Sequence, residues 1–248
     1  MEAANIIRDA VARVSLLRQT HHDCPELACM VGAVKAFQAR RFTGTYADLL
    51  KAGPYRPAAQ FFLEELYSNK DYTARDEQFA RIAGALQRIF PEQVVQTAVS
   101  MARLHGLTEE LDDAMARHWL AHQGDPNISE CGRYVAAWRA VGRPADRRDQ
   151  LETVLAVGRE LDRLTRAPGL RMLLRMMRRP AAMAGLSSLQ QFLECGFDTF
   201  AEMGRKGSGA TLFLETIRTR EAALMDLLFD ADPVTSETEL TATLGQAR

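Results

Sequence analysis

Apolar positions along this chain recur at the three- and four-residue spacing of helices. Ala3, Ile7, Ala10, Val14 and Leu17 alternate four- and three-residue steps, which places them on one side of a helix. That seam suits either a core or a second copy of the chain. The same periodicity predicts helices over roughly 2–20, 25–40, 45–52, 57–67, 74–90, 92–105, 108–123, 127–141, 146–166, 169–179, 187–203 and 209–229. Gly53 with Pro54, Gly124 with Pro126, and Gly142 with Pro144 set glycine past one helix and proline near the start of the next. No run of β-branched residues alternates as a strand would. The pattern therefore predicts an all-α fold, a bundle of about ten to twelve helices with no significant sheet.

Two joints stand out. Gly106 falls between helices 92–105 and 108–123 and predicts a hairpin hinged there. The charged stretch 142–149 (GRPADRRD) is the candidate point of subdivision within a single helical domain over 1–230. The polar residues 231–248 lack a sustained stripe and read as a flexible tail.

Composition bounds the function. Of 248 residues, 47% are hydrophobic and 25% charged, with a net charge of -1, so no global field favours nucleic acid or an anionic membrane. No window approaches the ~18 apolar residues of a membrane span. Cys24, Cys29, Cys131 and Cys195 form no CxxC. They read as reduced thiols in a cytoplasmic protein, and the N-terminus shows no signal-peptide pattern.

The densest chemistry lies at 57–82, where Phe61, Phe62, Tyr67, Tyr72 and Phe79 interleave with acids. On a helical wheel Ala59, Phe62, Leu63 and Leu66 share the core face. Phe61 lies nearly opposite, between Glu64 and Glu65. Either a second helix covers it, or Phe61, Glu64 and Glu65 form an exposed anchor for a partner. Thr73 suits an N-cap, with Asp76 three residues on. Arg75 falls on the apolar stripe at a helix start, where a cation is unfavourable. We expect it to pair with Glu64, Glu65 or Asp71, with Asp71 the first candidate; a clamp for a ligand carboxylate or phosphate is the alternative.

The run FFLEELYSNKDYTARD resembles the signature of an uncharacterised proteobacterial family, roughly FFLxxLYxxKDxxxRD. The resemblance implies a bacterial, cytoplasmic, helical protein and carries no activity to transfer.

Leu111, Met115, His118 and His122 share one helical stripe. The two histidines, one turn apart, either cap and hydrogen-bond within the core or hold a metal or haem. His105 lies at the expected hinge, too far away to join them. The HxxxE spacings from His22 and His105 are broken by Pro25 and Gly106. Cys24 and Cys29 near His21 and His22 lack zinc-site spacing.

Arg171, Arg175 and Arg178 form a basic stripe extended by Arg179. It suits an acidic partner, or pairing with Asp226, Asp230 and Asp232. A phosphate or nucleic acid is a less favoured occupant; no aromatic interleaves the stripe, so a stacking platform for single strands is not indicated. Met172, Met176, Met177 and Met183 read as core filler. GRKGSG at 204–209 is a loop with no preceding strand, and neither a P-loop nor a nucleophile elbow occurs. The reading is a non-catalytic protein-interaction or regulatory protein with no predicted cofactor. Its partner is another protein or a second copy of the chain. The alternative is a ligand-, metal- or haem-binding protein built on His118 and His122.

Overall fold

A computed structural model describes residues 2–51, 53–65, 70–89, 91–122, 128–205 and 209–247; the side chains of 86–89 and 205 are outside that description. Tyr67, Leu66 and residues 206–208 of the 204–209 stretch lie outside the described residues. Within them every regular element is a helix: α1 Glu2–Asp23, α2 Pro25–Thr45, α3 Ala47–Lys51, α4 Arg56–Glu65, α5 Thr73–Ile89, α6 Glu92–Ala121, α7 Glu130–Val141, α8 Pro144–Thr165, α9 Leu170–Met176, α10 Arg178–Met183, α11 Ser187–Arg205, α12 Gly209–Asp230 and α13 Pro233–Gly245. The all-α fold read from the pattern is the fold observed.

Three apolar clusters form. The α1 stripe buries Ala3, Ile7 and Val14, with Ala4 and Val11 beside them, against α5 and α6. The seam on the first helix is therefore spent inside the chain. A second cluster joins α2, α6, α7, α12 and α13. Phe37 stacks on Tyr134 at 4.2 Å, and Trp119, Leu228 and Leu240 pack around them. A third joins α4, α8, α11 and α12 around Phe62, Leu155, Phe200 and Phe213. Each such buried side chain contributes about 1.5–3 kcal/mol.

Helix α6 corrects the expected hinge at Gly106. It runs unbroken for 30 residues, about 45 Å, with Gly106 buried in its interior. Glycine weakens a helix by only about 1 kcal/mol. Here α1, α2, α7 and α8 all pack along α6 and offset that loss.

The expected tail is a docked helix. Asp232 accepts hydrogen bonds from the Val234 and Thr235 N–H groups, and Pro233 opens α13. Leu240 and Ser236 are buried; the Ser236 hydroxyl donates to the Leu227 carbonyl, and Arg139 donates to the Leu228 and Ala231 carbonyls nearby. Gly44 on α2 makes the docking possible, because a Cβ there would overlap the Thr243 carbonyl. With only Ser236 and Leu240 buried, the stripe was too sparse to read.

The candidate linker is helix from Pro144 onward. Gly142 and Arg143 turn the chain with φ of 63° and 61°, and α8 starts at Pro144. Arg147, inside that stretch, is buried. Residues 169–179 divide into α9 and α10 at Met177.

Candidate ligand cavity

Where the three clusters meet they do not merge. A cavity of about 270 Å³ lies between them, reached by Ala102 from the first, Tyr134 from the second and Phe200 from the third. One wall is apolar: Phe61 and Phe62 of α4, Val154 and Leu161 of α8, and Phe192 and Leu193 of α11. Gly196 is part of this wall, and a Cβ there would lie 3.2 Å from the Phe61 ring.

The other wall is polar, and its residues come in helical register. Lys35, Gln38 and Arg41 recur every third residue on α2, and Glu109 and Asp112 do so on α6. Arg147 and Gln150 repeat the spacing on α8. Lys35 Nζ lies 2.6 Å from Glu109, and Arg41 lies 2.5 Å from Glu221, which also accepts from the Tyr46 hydroxyl at 2.9 Å. The Gln38 amide donates to Asp112 at 3.0 Å. Asp112 is buried, and that burial pushes its carboxyl above the usual aspartate range despite the nearby Lys35 and Arg147 charges. The Arg147 guanidinium lies 4.0 Å over the Trp138 ring and 3.2 Å from Met115 Sδ. Burial raises the Tyr134 phenol, which stays protonated.

A third group closes one edge. Asp76 Oδ2 accepts from Arg18 at 2.5 Å and meets His105 Nε2 at 2.9 Å, while Arg75 Nε lies 3.6 Å from Oδ1. Burial alone would raise the Asp76 pKa; the hydrogen bonds and charges of His105 and Arg18 outweigh it and hold the carboxylate below its usual range. Helices α1, α5 and α6 thus converge on one carboxylate. Asp76 is not the second half of a capping box, as its position suggested.

Arg75 pairs with Glu65 at 3.2 Å, not with Asp71. Asp71 instead accepts from the Thr73 N–H at 2.9 Å. Arg75 is also held between two rings, 4.0 Å over Tyr72 and 4.7 Å over Phe192. Phe61 is covered by α11, stacked on Phe192 with centroids 5.9 Å apart and only 9% exposed. It is a cavity wall and not a surface anchor. Glu64 is exposed and Glu65 half-buried, and Lys70 lies 3.6 Å from each.

His118 and His122 stack ring on ring, 4.2 Å apart and 20° from parallel. His122 Nδ1 lies 2.9 Å from the His118 carbonyl, at the helix end. Stacked rings turn their in-plane lone pairs away from a shared point, and this geometry does not suit a chelate. Burial and the His122 charge lower the His118 pKa, which favours the neutral ring. Among the described residues no group of three or more His, Cys, Asp or Glu is arranged to hold a metal.

The arginine stripe pairs with α11 and not with the acids after 225. Arg171 meets Asp198 at 2.7 Å and Arg178 meets Glu194 at 2.5 Å. Arg175 stays exposed near Glu194. Met172, Met176 and Met183 are exposed, not core filler.

Sequence reasoning missed the polar wall. Its signal was present: Lys35, Gln38 and Arg41 lie between Val31, Val34, Phe37 and Phe42 on a helix that is otherwise buried on that side.

The chain belongs to a family described as a domain of unknown function (DUF8198), matched over residues 17–235. Comparison with curated proteins and with solved structures returned no match. No helix among the described residues is long and apolar enough to cross a membrane.

Proposed function

We propose that this protein binds a small molecule in the cavity between its three apolar clusters. The observation that carries the reading is the cavity itself: about 270 Å³, one wall apolar and the other set with buried charged side chains. Ligand pockets combine these two features, an apolar body and a few polar groups that orient the guest. Sealed cavities without guests are apolar, and an apolar cavity of about 150 Å³ holds benzene. The stretch that resembles the family signature contributes Phe61, Phe62, Arg75 and Asp76 to the wall. In this reading the signature encodes a binding site of a bacterial, cytoplasmic protein. The four free cysteines support a reducing compartment.

The test compares the full chain with Leu193→Trp, which places an indole in the apolar half. Native mass spectrometry and thermal shift against a fragment set should show retained or stabilising guests for the wild type and their loss in the variant. Identical profiles for the two proteins would sink the proposal.

A second reading, docking of another protein, is favoured by one observation. Met172, Met176 and Met183 are 67%, 68% and 90% exposed beside Arg175 and Arg179. Exposed methionines suit adaptable protein contacts. Exchanging all three for glutamine should abolish co-purification of a partner if this face is a docking site.

A further inference from the structure

The chain has two tryptophans, and both are buried in the same apolar cluster. Trp119 Nε1 donates to the Arg133 carbonyl at 3.2 Å. Trp138 is only 6% exposed, and its buried Nε1 has no acceptor among the described residues. An indole N–H can only donate, and a buried donor without an acceptor is costly enough to be rare. Trp138 also belongs to the cavity lining. A guest in the cavity can bring the acceptor that the fold does not.

The charged groups of the same lining are already engaged. Lys35 is matched by Glu109 and Arg41 by Glu221. Arg75 is matched by Glu65, and Asp76 by Arg18 and His105. Asp112 accepts from Gln38 and feels the Lys35 and Arg147 charges. Arg147 rests on the Trp138 ring and touches Gln150 and Met115. A charged guest would have to break into these contacts, and disrupting a buried pair is costly. An uncharged guest leaves them intact. A hydroxyl would add a donor that needs an acceptor of its own, whereas a carbonyl oxygen only accepts.

We propose that the cavity takes an uncharged, largely apolar carbonyl compound, whose oxygen accepts the Trp138 indole N–H while its apolar body lies against Phe61, Phe192 and Leu193. This rests on the cavity being a ligand site. A one-ring or medium-chain carbonyl compound suits a volume above that of a benzene-sized cavity and just under the usual range of drug-sized pockets.

The experiment is calorimetric titration of the full chain with five probes of similar shape: acetophenone, ethylbenzene, 1-phenylethanol, 1-phenylethylamine and benzoate. Acetophenone should bind tightest. Trp138→Phe keeps a ring and removes the N–H; it should weaken acetophenone about tenfold and leave ethylbenzene unchanged. Tighter binding of benzoate or the amine overturns the uncharged class, and tighter binding of the alcohol or ethylbenzene overturns the carbonyl; each leaves the cavity reading standing. An equal loss of acetophenone and ethylbenzene in Trp138→Phe overturns the N–H contact, as does no loss of acetophenone, which would make water the acceptor. Should Trp138→Phe fail to fold, the indole resonances of the ¹⁵N-labelled wild type decide. Acetophenone should move the Trp138 N–H downfield and leave Trp119 in place, and equal shifts with ethylbenzene overturn the contact. No binding by any probe, together with no difference between wild type and Leu193→Trp in the fragment screen, overturns both this inference and the cavity reading.

Discussion

Two ion pairs in this molecule have the same length and similarly buried carboxylates, but their arginines differ in exposure. Arg41 and Glu221 meet at 2.5 Å with side chains 5% and 13% exposed; Arg178 and Glu194 also meet at 2.5 Å, with the arginine 59% exposed. The first belongs to the cavity wall, the second to the α10–α11 surface. In water the attraction is screened and offset by lost side-chain freedom, so exposed pairs contribute little. In the interior the pair costs desolvation to assemble, but losing one partner strands a charge. Distance alone therefore does not rank the charged groups here. Burial does, and it points to the cavity edge and not to the arginine stripe.

Asp76→Ala is the strongest test of that contrast. It leaves Arg18 and His105 without their common acceptor, and urea unfolding should show a loss of about 3–5 kcal/mol. A loss under about 1 kcal/mol would break the comparison.

Acid tests the same node with the chain intact. Asp76 has a folded pKa below its unfolded value, so its stabilisation is present above the ordinary aspartate range, about 4, and is lost as pH falls through the folded value. The midpoint of the wild type should fall steeply there. Asp76→Asn should start lower and show a shallower slope.

Asp112 has the opposite sign. Its raised pKa means that stability declines as pH rises from the ordinary aspartate value to the folded one. Asp112→Asn keeps an acceptor for Gln38 and removes that decline. It should gain roughly 1 kcal/mol near neutrality, and the gain should vanish in acid. A loss at neutral pH would mean that Asp112 is ionised in the folded chain.

The smallest effect belongs to the surface. Arg178→Ala should leave the unfolding midpoint unchanged within error, and added salt should not distinguish it from wild type. A clear shift would show that the α10–α11 face is not simply a solvated one.

Much of the fold was legible because helix periodicity is local. The α1 stripe, the Pro25 start of α2 and the absence of strands follow from spacing and turn residues. Gly106 misled because glycine lowers helix propensity without forbidding a helix, and the packing around α6 outweighed it. The tail misled because α13 buries only Ser236 and Leu240, and Gly44, 199 residues before Thr243, makes room for it. The site was half legible. The signature stretch was singled out, and Arg75 was expected to find an acid. Its partner, Glu65, and its ring partner on α11 depended on a turn and a docking that no window contains. His118 and His122 had attractive spacing and turned out stacked at a helix end. His105, read as a hinge residue, is held by a carboxylate from another helix.

What the sequence alone determined is the helical class, most helix boundaries and the faces that must be buried, because each depends on neighbours within a turn or two. What the tertiary structure decided is where those faces fail to close. The cavity exists because three apolar clusters meet around charges from α2, α6, α8 and α12. Whether a charge is matched, stranded or neutralised depends on groups far apart in the chain and on the water that packing removes.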